Sequence, residues 1–323
     1  MERTIYNTAL FAEHMFGFGR MKNLIKSYRL KKENNYLKEG KKHEGLVEIE
    51  RIRIDGNRKL KDVELGSYPL VFEGVASGWK CCKKWDFEYI KKRYGSDKAF
   101  ILYAETDTGE MPYEEISFSE AIDRMVRDTN VNLRFQPLLQ RHPELVEDLD
   151  MGFYNTLIPK GAVNSNKQFF MAGNGAFTPI HTAIQNLLFL QVYGVKEWIV
   201  YHPKDTMGLS PKIERTPYFF SDFNPVRDAG QEDKKALKGY RAILRQGDVL
   251  YLPSFWWHFV RNLSDCISVG FRWTTLGSAA KASFTLSMLT LMSANPPIWT
   301  TVRDKADFSK VILKRKKVVK VEK

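Results

Sequence analysis

Between residues 167 and 275, apolar and polar positions alternate in short runs punctuated by glycine, a texture that predicts strands rather than helices. The runs are KQFFMAG, GAFTPIHTA, NLLFLQVYG, VKEWIVYHP, YRAILRQGD, VLYLPSFWWHFVRN and ISVGFRWTT, with Gly173, Gly175, Gly194 and Gly247 among the breaks. Many short strands at such close spacing predict an antiparallel barrel or jelly roll, a mainly β core. Upstream, YPLVFEGVA and KAFILYAET also read as strands. KKWDFEYIKKRYG, ISFSEAIDRMVRDT and RHPELVEDLD show helical spacing; Ser117 or Ser119 starts the second, and Pro143 lies in the first turn of the third. Helical texture returns in SAAKASFTLSMLTLMSA, so α-helices flank the β core.

This pattern divides the chain into three parts: an N-terminal extension over 1–60, a core domain over 61–276, and a helical segment with a basic tail over 277–323. Lys, Asn and Glu, including Glu33 and Glu39, crowd residues 20–45, which read as a solvated helix or loop. A polar insert over 203–240 interrupts the strands and reads as a structureless cover for the barrel mouth.

Composition sharpens this only in places. An apolar fraction of 43% excludes a disordered chain. The net charge of +12 raises nucleic acid, an acidic membrane surface or an anionic substrate as partners. The tail VILKRKKVVKVEK lacks the interleaved aromatics of a single-strand platform, so specific nucleic-acid binding is not expected. Cys81, Cys82 and Cys266, without CxxC spacing, fit free buried thiols in a reducing compartment. With no secretory start, and with no apolar run near the ~20 residues a membrane span takes, the expectation is a soluble intracellular protein.

Candidate chemistry rests on histidine. His14, His43, His142 and His202 lie in polar, helical or turn surroundings and read as structural. His181 and His258 lie in strands, flanked by aromatic and apolar residues. Burying an imidazole there is costly unless it is hydrogen-bonded or holds a metal.

The words TPIHTA, GVKEWIVYHP and QGDVLYLPSFWWHFVRNLSDCISVGFRW resemble the JmjC-type cupin family, double-stranded β-helix oxygenases that use iron(II), 2-oxoglutarate and oxygen. The resemblance spans roughly 66–275 and is nearest to the branch of the asparaginyl hydroxylase of hypoxia-inducible factor. It implies that His181 and His258 bind iron, that Lys196 pairs with the distal carboxylate of 2-oxoglutarate, that Thr178 adds a hydroxyl to that carboxylate, and that Trp256 and Trp257 wall the site. Where the family has a tyrosine against the co-substrate, NLRFQPLLQ offers Asn132 or Arg134. Related hydroxylases dimerise through C-terminal helices, which implies a homodimer through 277–295.

One departure stands out. The family pattern is His-x-Asp or His-x-Glu, and this chain reads His181-Thr182-Ala183, with no acid before Lys196. The usual iron site joins two imidazoles and one carboxylate. Iron/2-oxoglutarate halogenases are similar at this word: they carry alanine or glycine at the third position, and chloride or bromide takes the carboxylate's place. The leading expectation is therefore C–H halogenation with halide bound beside Ala183. Hydroxylation of a protein, nucleic-acid or small-molecule substrate is the first alternative, and an inactive interaction module the second.

Overall fold

The computed structural model describes all residues except 1, 17–18, 57, 104–110, 130, 304–317 and 322–323. Sixteen strands are present among the described residues: β1 (Val47–Glu48), β2 (Arg51–Ile52), β3 (Leu70–Phe72), β4 (Lys98–Leu102), β5 (Met111–Ser117), β6 (Asn132–Gln136), β7 (Val163–Ala172), β8 (Phe177–Ala183), β9 (Asn186–Tyr193), β10 (Lys196–Tyr201), β11 (Tyr218–Phe220), β12 (Gly239–Leu244), β13 (Val249–Leu252), β14 (Trp257–Asn262), β15 (Cys266–Thr274) and β16 (Val318–Lys320). They form a six-stranded sheet in the order β1-β12-β10-β14-β8-β11, a seven-stranded sheet in the order β2-β3-β13-β9-β15-β7-β6, and a small sheet β16-β5-β4. The two large sheets are antiparallel apart from short parallel edge pairs and make the jelly-roll core, with helices flanking it.

From β7 to β10 and again from β12 to β15, consecutive strands alternate between the two sheets, so each short connection there carries the chain across the core. The turn from β9 to β10 shows why its sequence is fixed. Gly194 has φ +80°, and a Cβ there would lie 1.9 Å from the Asp265 carbonyl oxygen, so only glycine fits. This turn sets the register that starts β10 at Lys196.

Three apolar layers hold the structure. Leu187, Phe189, Trp198, Val200, Leu244, Leu250 and Val260 fill the space between the sheets. The outer face of the seven-stranded sheet packs through Phe169, Val269, Phe271 and Trp273 onto helical segments bearing Trp85, Tyr94, Phe118 and Phe153. The outer face of the six-stranded sheet packs through Ile180, Ile199, Trp257 and Phe259 beneath the N-terminal helices and the insert.

The periphery departs from the sequence expectations. Helices α1 (Glu2–Phe16) and α2 (Gly19–Glu39) dock on the core through Tyr6, Leu10 and Leu37. The stretch expected to be solvated instead buries Arg29 and Glu33: Arg29 donates to Glu13 at 2.7 Å and to Glu33 at 2.5 Å, and Tyr6 donates to Glu33 at 2.7 Å. Lysine-rich composition concealed this because the charge of Arg29 is met by Glu33 one turn on and by Glu13 from the other helix. Residues 47–48 and 51–52, placed in the extension from sequence, are edge strands of the two large sheets.

The insert over 203–240 is ordered: a turn at Pro203–Asp205, a helical turn at Thr206–Leu209, strand β11, and a turn at Asp233–Ala236. Its apolar residues Met207, Leu209, Phe219 and Phe223 are buried, which its polar composition hid. At the C-terminus, helices span Leu276–Ala282, Phe284–Leu291 and Ile298–Arg303. The basic tail lies outside the described residues except at 318–321. Among the described residues no helix is long and apolar enough to cross a membrane. All three cysteines are free and buried.

Candidate metal centre

His181 on β8 and His258 on β14 are direct partners in the antiparallel register, so both side chains leave the six-stranded sheet on its inner face. Their ring centroids are 4.1 Å apart. Each ring is oriented in the same way: His181 Nδ1 donates to the Pro179 carbonyl and His258 Nδ1 to the Trp256 carbonyl, both at 2.9 Å. A carbonyl only accepts, so the proton is on Nδ1 and each Nε2 presents a lone pair. Burial pushes the His181 pKa down to about 3, with Arg272 and Arg134 adding to the effect, and His258 well below the ordinary histidine value. Both imidazoles are therefore neutral, the form a metal requires.

Thr178 reaches the same face by an irregularity. Strict alternation would turn a residue three positions before His181 outward. However, His258 pairs with His181 while Val260 pairs with Thr178, so β8 carries one extra residue at this point. That bulge returns Thr178 to the side of the imidazoles.

Lys196 lies on the same face at the far end, paired with Asn262 on β14. Its Nζ donates to Ser268 Oγ at 3.1 Å and sits 4.9 Å from the Phe189 ring centroid. Ser268 in turn donates to Gln191 Oε1 at 3.0 Å. Desolvation pulls the Lys196 pKa down to about 8, with Arg134 adding to it. On the opposite face of β10, Glu197 accepts from Arg241 at 2.8 Å and Arg261 at 2.6 Å, clamping β10 between β12 and β14. Arg134 on β6 donates to Asn132 Oδ1, and its enclosure brings its pKa down to about 10.

Ala183 shares the face of His181 and is buried beside Tyr218, its register partner on β11, with Phe135 and Phe220 around them. No group of three or more His, Cys, Asp or Glu able to hold a metal occurs among the described residues. No acid from elsewhere in them replaces the one lacking at Ala183. The two imidazoles with inward lone pairs fit a divalent metal, and the buried Lys196 fits a carboxylate.

The tryptophans divide. Trp256 joins the interior layer and its Nε1 donates to the Ser67 carbonyl at 3.0 Å. Trp257 leaves β14 on the side opposite His258, packs in the outer layer and donates through Nε1 to Thr206 Oγ1 at 3.0 Å. The structure thus does not bring Trp257 to the site; it anchors the insert. The indole that lies against His258 is Trp198, with centroids 5.5 Å apart and planes 25° from parallel, and Phe220 stacks on His181 at 5.7 Å. Sequence reading missed both, though Trp198 lies two residues after Lys196 and hence on its face. Three of the other histidines make local contacts away from the site: His14 Nε2 lies 3.1 Å from the Met292 carbonyl, His142 Nε2 2.8 Å from Asp97, and His202 Nδ1 accepts from Lys204 N at 3.0 Å.

A cupin-like domain family model matches residues 57–278. The chain is 28% identical over 214 residues to lysine-specific demethylase 8 of Xenopus tropicalis, covering 64% of this chain and 48% of that protein. It is 32% identical over 145 residues to Jumonji C domain-containing protein 5 of Drosophila melanogaster, covering 42% and 35% respectively. It is 23% identical over 247 residues to tRNA wybutosine-synthesizing protein 4 of Gibberella zeae, covering 70% and 24%. The chain spans half or less of the length of these relatives.

Proposed function

Because the chain belongs to the cupin-like domain family, we propose that it is an iron(II)- and 2-oxoglutarate-dependent oxygenase of the Jumonji C type that hydroxylates a C–H bond of its substrate. The observation that carries this reading is the facing pair His181 and His258, each with Nδ1 committed to a carbonyl and Nε2 turned inward. When bound, iron with 2-oxoglutarate and oxygen supplies the oxidation of an unactivated C–H bond, with succinate and carbon dioxide as the co-products.

The chain's own residues do the holding and the shielding. His181 and His258 would hold the iron. Lys196 would receive the distal carboxylate, with Thr178 on the same face and Arg134 adding positive charge. Phe189, Trp198 and Phe220 exclude water around the imidazoles, so that charges inside act at full strength.

Halogenation is the second reading, and Ala183 is what favours it. Its small side chain leaves no carboxylate beside the imidazoles, and the cations Lys196, Arg134 and Arg272 leave room for a further negative charge. Hydroxylation stands first because the relatives named above are demethylase, Jumonji C and tRNA-modifying proteins. Anaerobic addition of iron(II) and 2-oxoglutarate should produce a visible charge-transfer band, and oxygen should then yield succinate. Absence of both, with no iron retained, would leave a non-catalytic module. Chlorinated product in chloride, in place of hydroxylated product, would move halogenation to first place.

A further inference from the structure

Strand β15 presents Ser268, Gly270 and Arg272 on one face, with no irregularity in register between them. Ser268 meets Lys196 from the opposite sheet, so this face looks into the barrel. Arg272 therefore enters the same interior, and it is only 5% exposed. Its guanidinium bears on both His181 and His258 and on Tyr218. Its Nε has no hydrogen-bond partner, and among the described residues no carboxylate acts on it.

The neighbouring strand adds to this. Asn166 pairs with Arg272 and Gln168 with Gly270, so both amides share the inward face. Gln168 is 2% exposed, and neither its Oε1 nor its Nε2 has a partner; Asn166 Oδ1 has none either. Gly270 contributes no side chain between them, and a Cβ there would crowd Phe170 at 3.1 Å. Buried polar groups are expensive to leave unmade, and a buried unpaired cation more so. Four orphaned atoms on one patch facing the imidazoles imply a ligand that completes them.

We propose that Arg272, Gln168 and Asn166 form a second subsite in the barrel, which takes a carboxylate of the substrate and is separate from the co-substrate pocket at Lys196. The subsite deepens the oxygenase reading and rests on it for the word substrate. Arg272 supplies charge and a planar donor fork, and the two amides supply adaptable donors and acceptors around it. An acidic substrate would then lie with its carboxylate against β7 and β15 and its reacting carbon toward His181 and His258.

Equilibrium binding to the full chain, metal-free and loaded with redox-silent manganese(II), tests this. The probes are N-oxalylglycine as an unreactive mimic of 2-oxoglutarate, propionate, neutral propionamide and chloride. With N-oxalylglycine saturating, wild type should still bind propionate, and bind propionamide about tenfold more weakly. Arg272→Met should lose propionate binding by about tenfold or more and keep N-oxalylglycine, whereas Lys196→Met should do the reverse. Arg272→Lys should restore part of the propionate binding, and Gln168→Leu should weaken it, which keeps the test open if Arg272→Met does not fold. The proposal is overturned if Arg272→Met loses N-oxalylglycine as Lys196→Met does, if chloride binds there as tightly as propionate, or if wild type binds no propionate. Arg272-dependent propionate binding in a protein that takes neither metal nor N-oxalylglycine would uphold the subsite and remove the oxygenase reading.

Discussion

Lys196 and Ser268 stand on different sheets, and the Nζ of one donates to the Oγ of the other at 3.1 Å across the barrel interior. The lysine thus has a neutral partner and no carboxylate of its own, which leaves its charge for a ligand. Replacing it with methionine removes that charge at similar length. A charged hydrogen bond contributes about 2 kcal/mol, so 2-oxoglutarate affinity should fall some thirtyfold. Thermal stability should hold or rise, since an isolated buried ammonium disappears. Calorimetric titration with 2-oxoglutarate beside a melting curve checks both parts.

Ala183→Asp restores the family's third metal position on the face already shared with His181. Iron(II) affinity should increase about tenfold or more, because a carboxylate adds both a donor and a negative charge. Under the halogenation reading the same variant should abolish chlorinated product, because the halide loses its place. Metal titration and product mass read the two effects separately.

Trp257→Phe tests the division of the two tryptophans. It removes the hydrogen bond to Thr206 and leaves a void in the outer layer, so stability should drop by about 1–3 kcal/mol. Metal affinity should stay within about twofold, since the side chain lies across the sheet from His258. A large loss of metal binding in a variant that still folds would return Trp257 to the site.

His202 provides a pH signature outside the metal centre. Desolvation, then Lys204 and Arg3, bring its pKa down to about 4. The unfolded state therefore binds a proton, near pH 6.5, that the folded state refuses until about pH 4. This contribution to stability is complete above pH 6.5 and is lost progressively as the pH falls through that window. His202→Asn keeps an acceptor for the Lys204 amide and removes the titration. Denaturant midpoints measured from pH 7 to pH 4 should decline less steeply in the variant.

Much of the placement of the candidate residues could be read from the chain. Alternation and glycine breaks located the strands of the core, and the family words located His181, His258 and Lys196. What escaped depended on parity and on partners from distant strands. Trp256 and Trp257 are adjacent, so only one can face inward, and the sequence does not say which. Thr178 needs the bulge before it can share a face with His181. Arg272 stands in ISVGFRWTT, an apolar run whose inner face shows only once Ser268 is seen to meet Lys196. Asn166 and Gln168 lie in an unremarkable strand and matter because β7 pairs with β15. The insert hid its order because its few apolar residues are spread among polar ones.

The hold of α2 and the residues just after it on the insert has a practical side. Ser210 donates to Glu33 at 2.6 Å, Tyr36 to Asp205 at 2.9 Å, and Lys42 to the Glu232 carbonyl at 3.0 Å. Through the insert, α2 braces β11, which lies along β8 with Tyr218 against Ala183 and Phe220 against His181. The family match begins at residue 57, so a fragment cut at that boundary would retain both imidazoles while forfeiting the scaffold of one wall. The smallest piece that matches the domain family by sequence is shorter than the smallest piece that keeps the domain's inner wall braced.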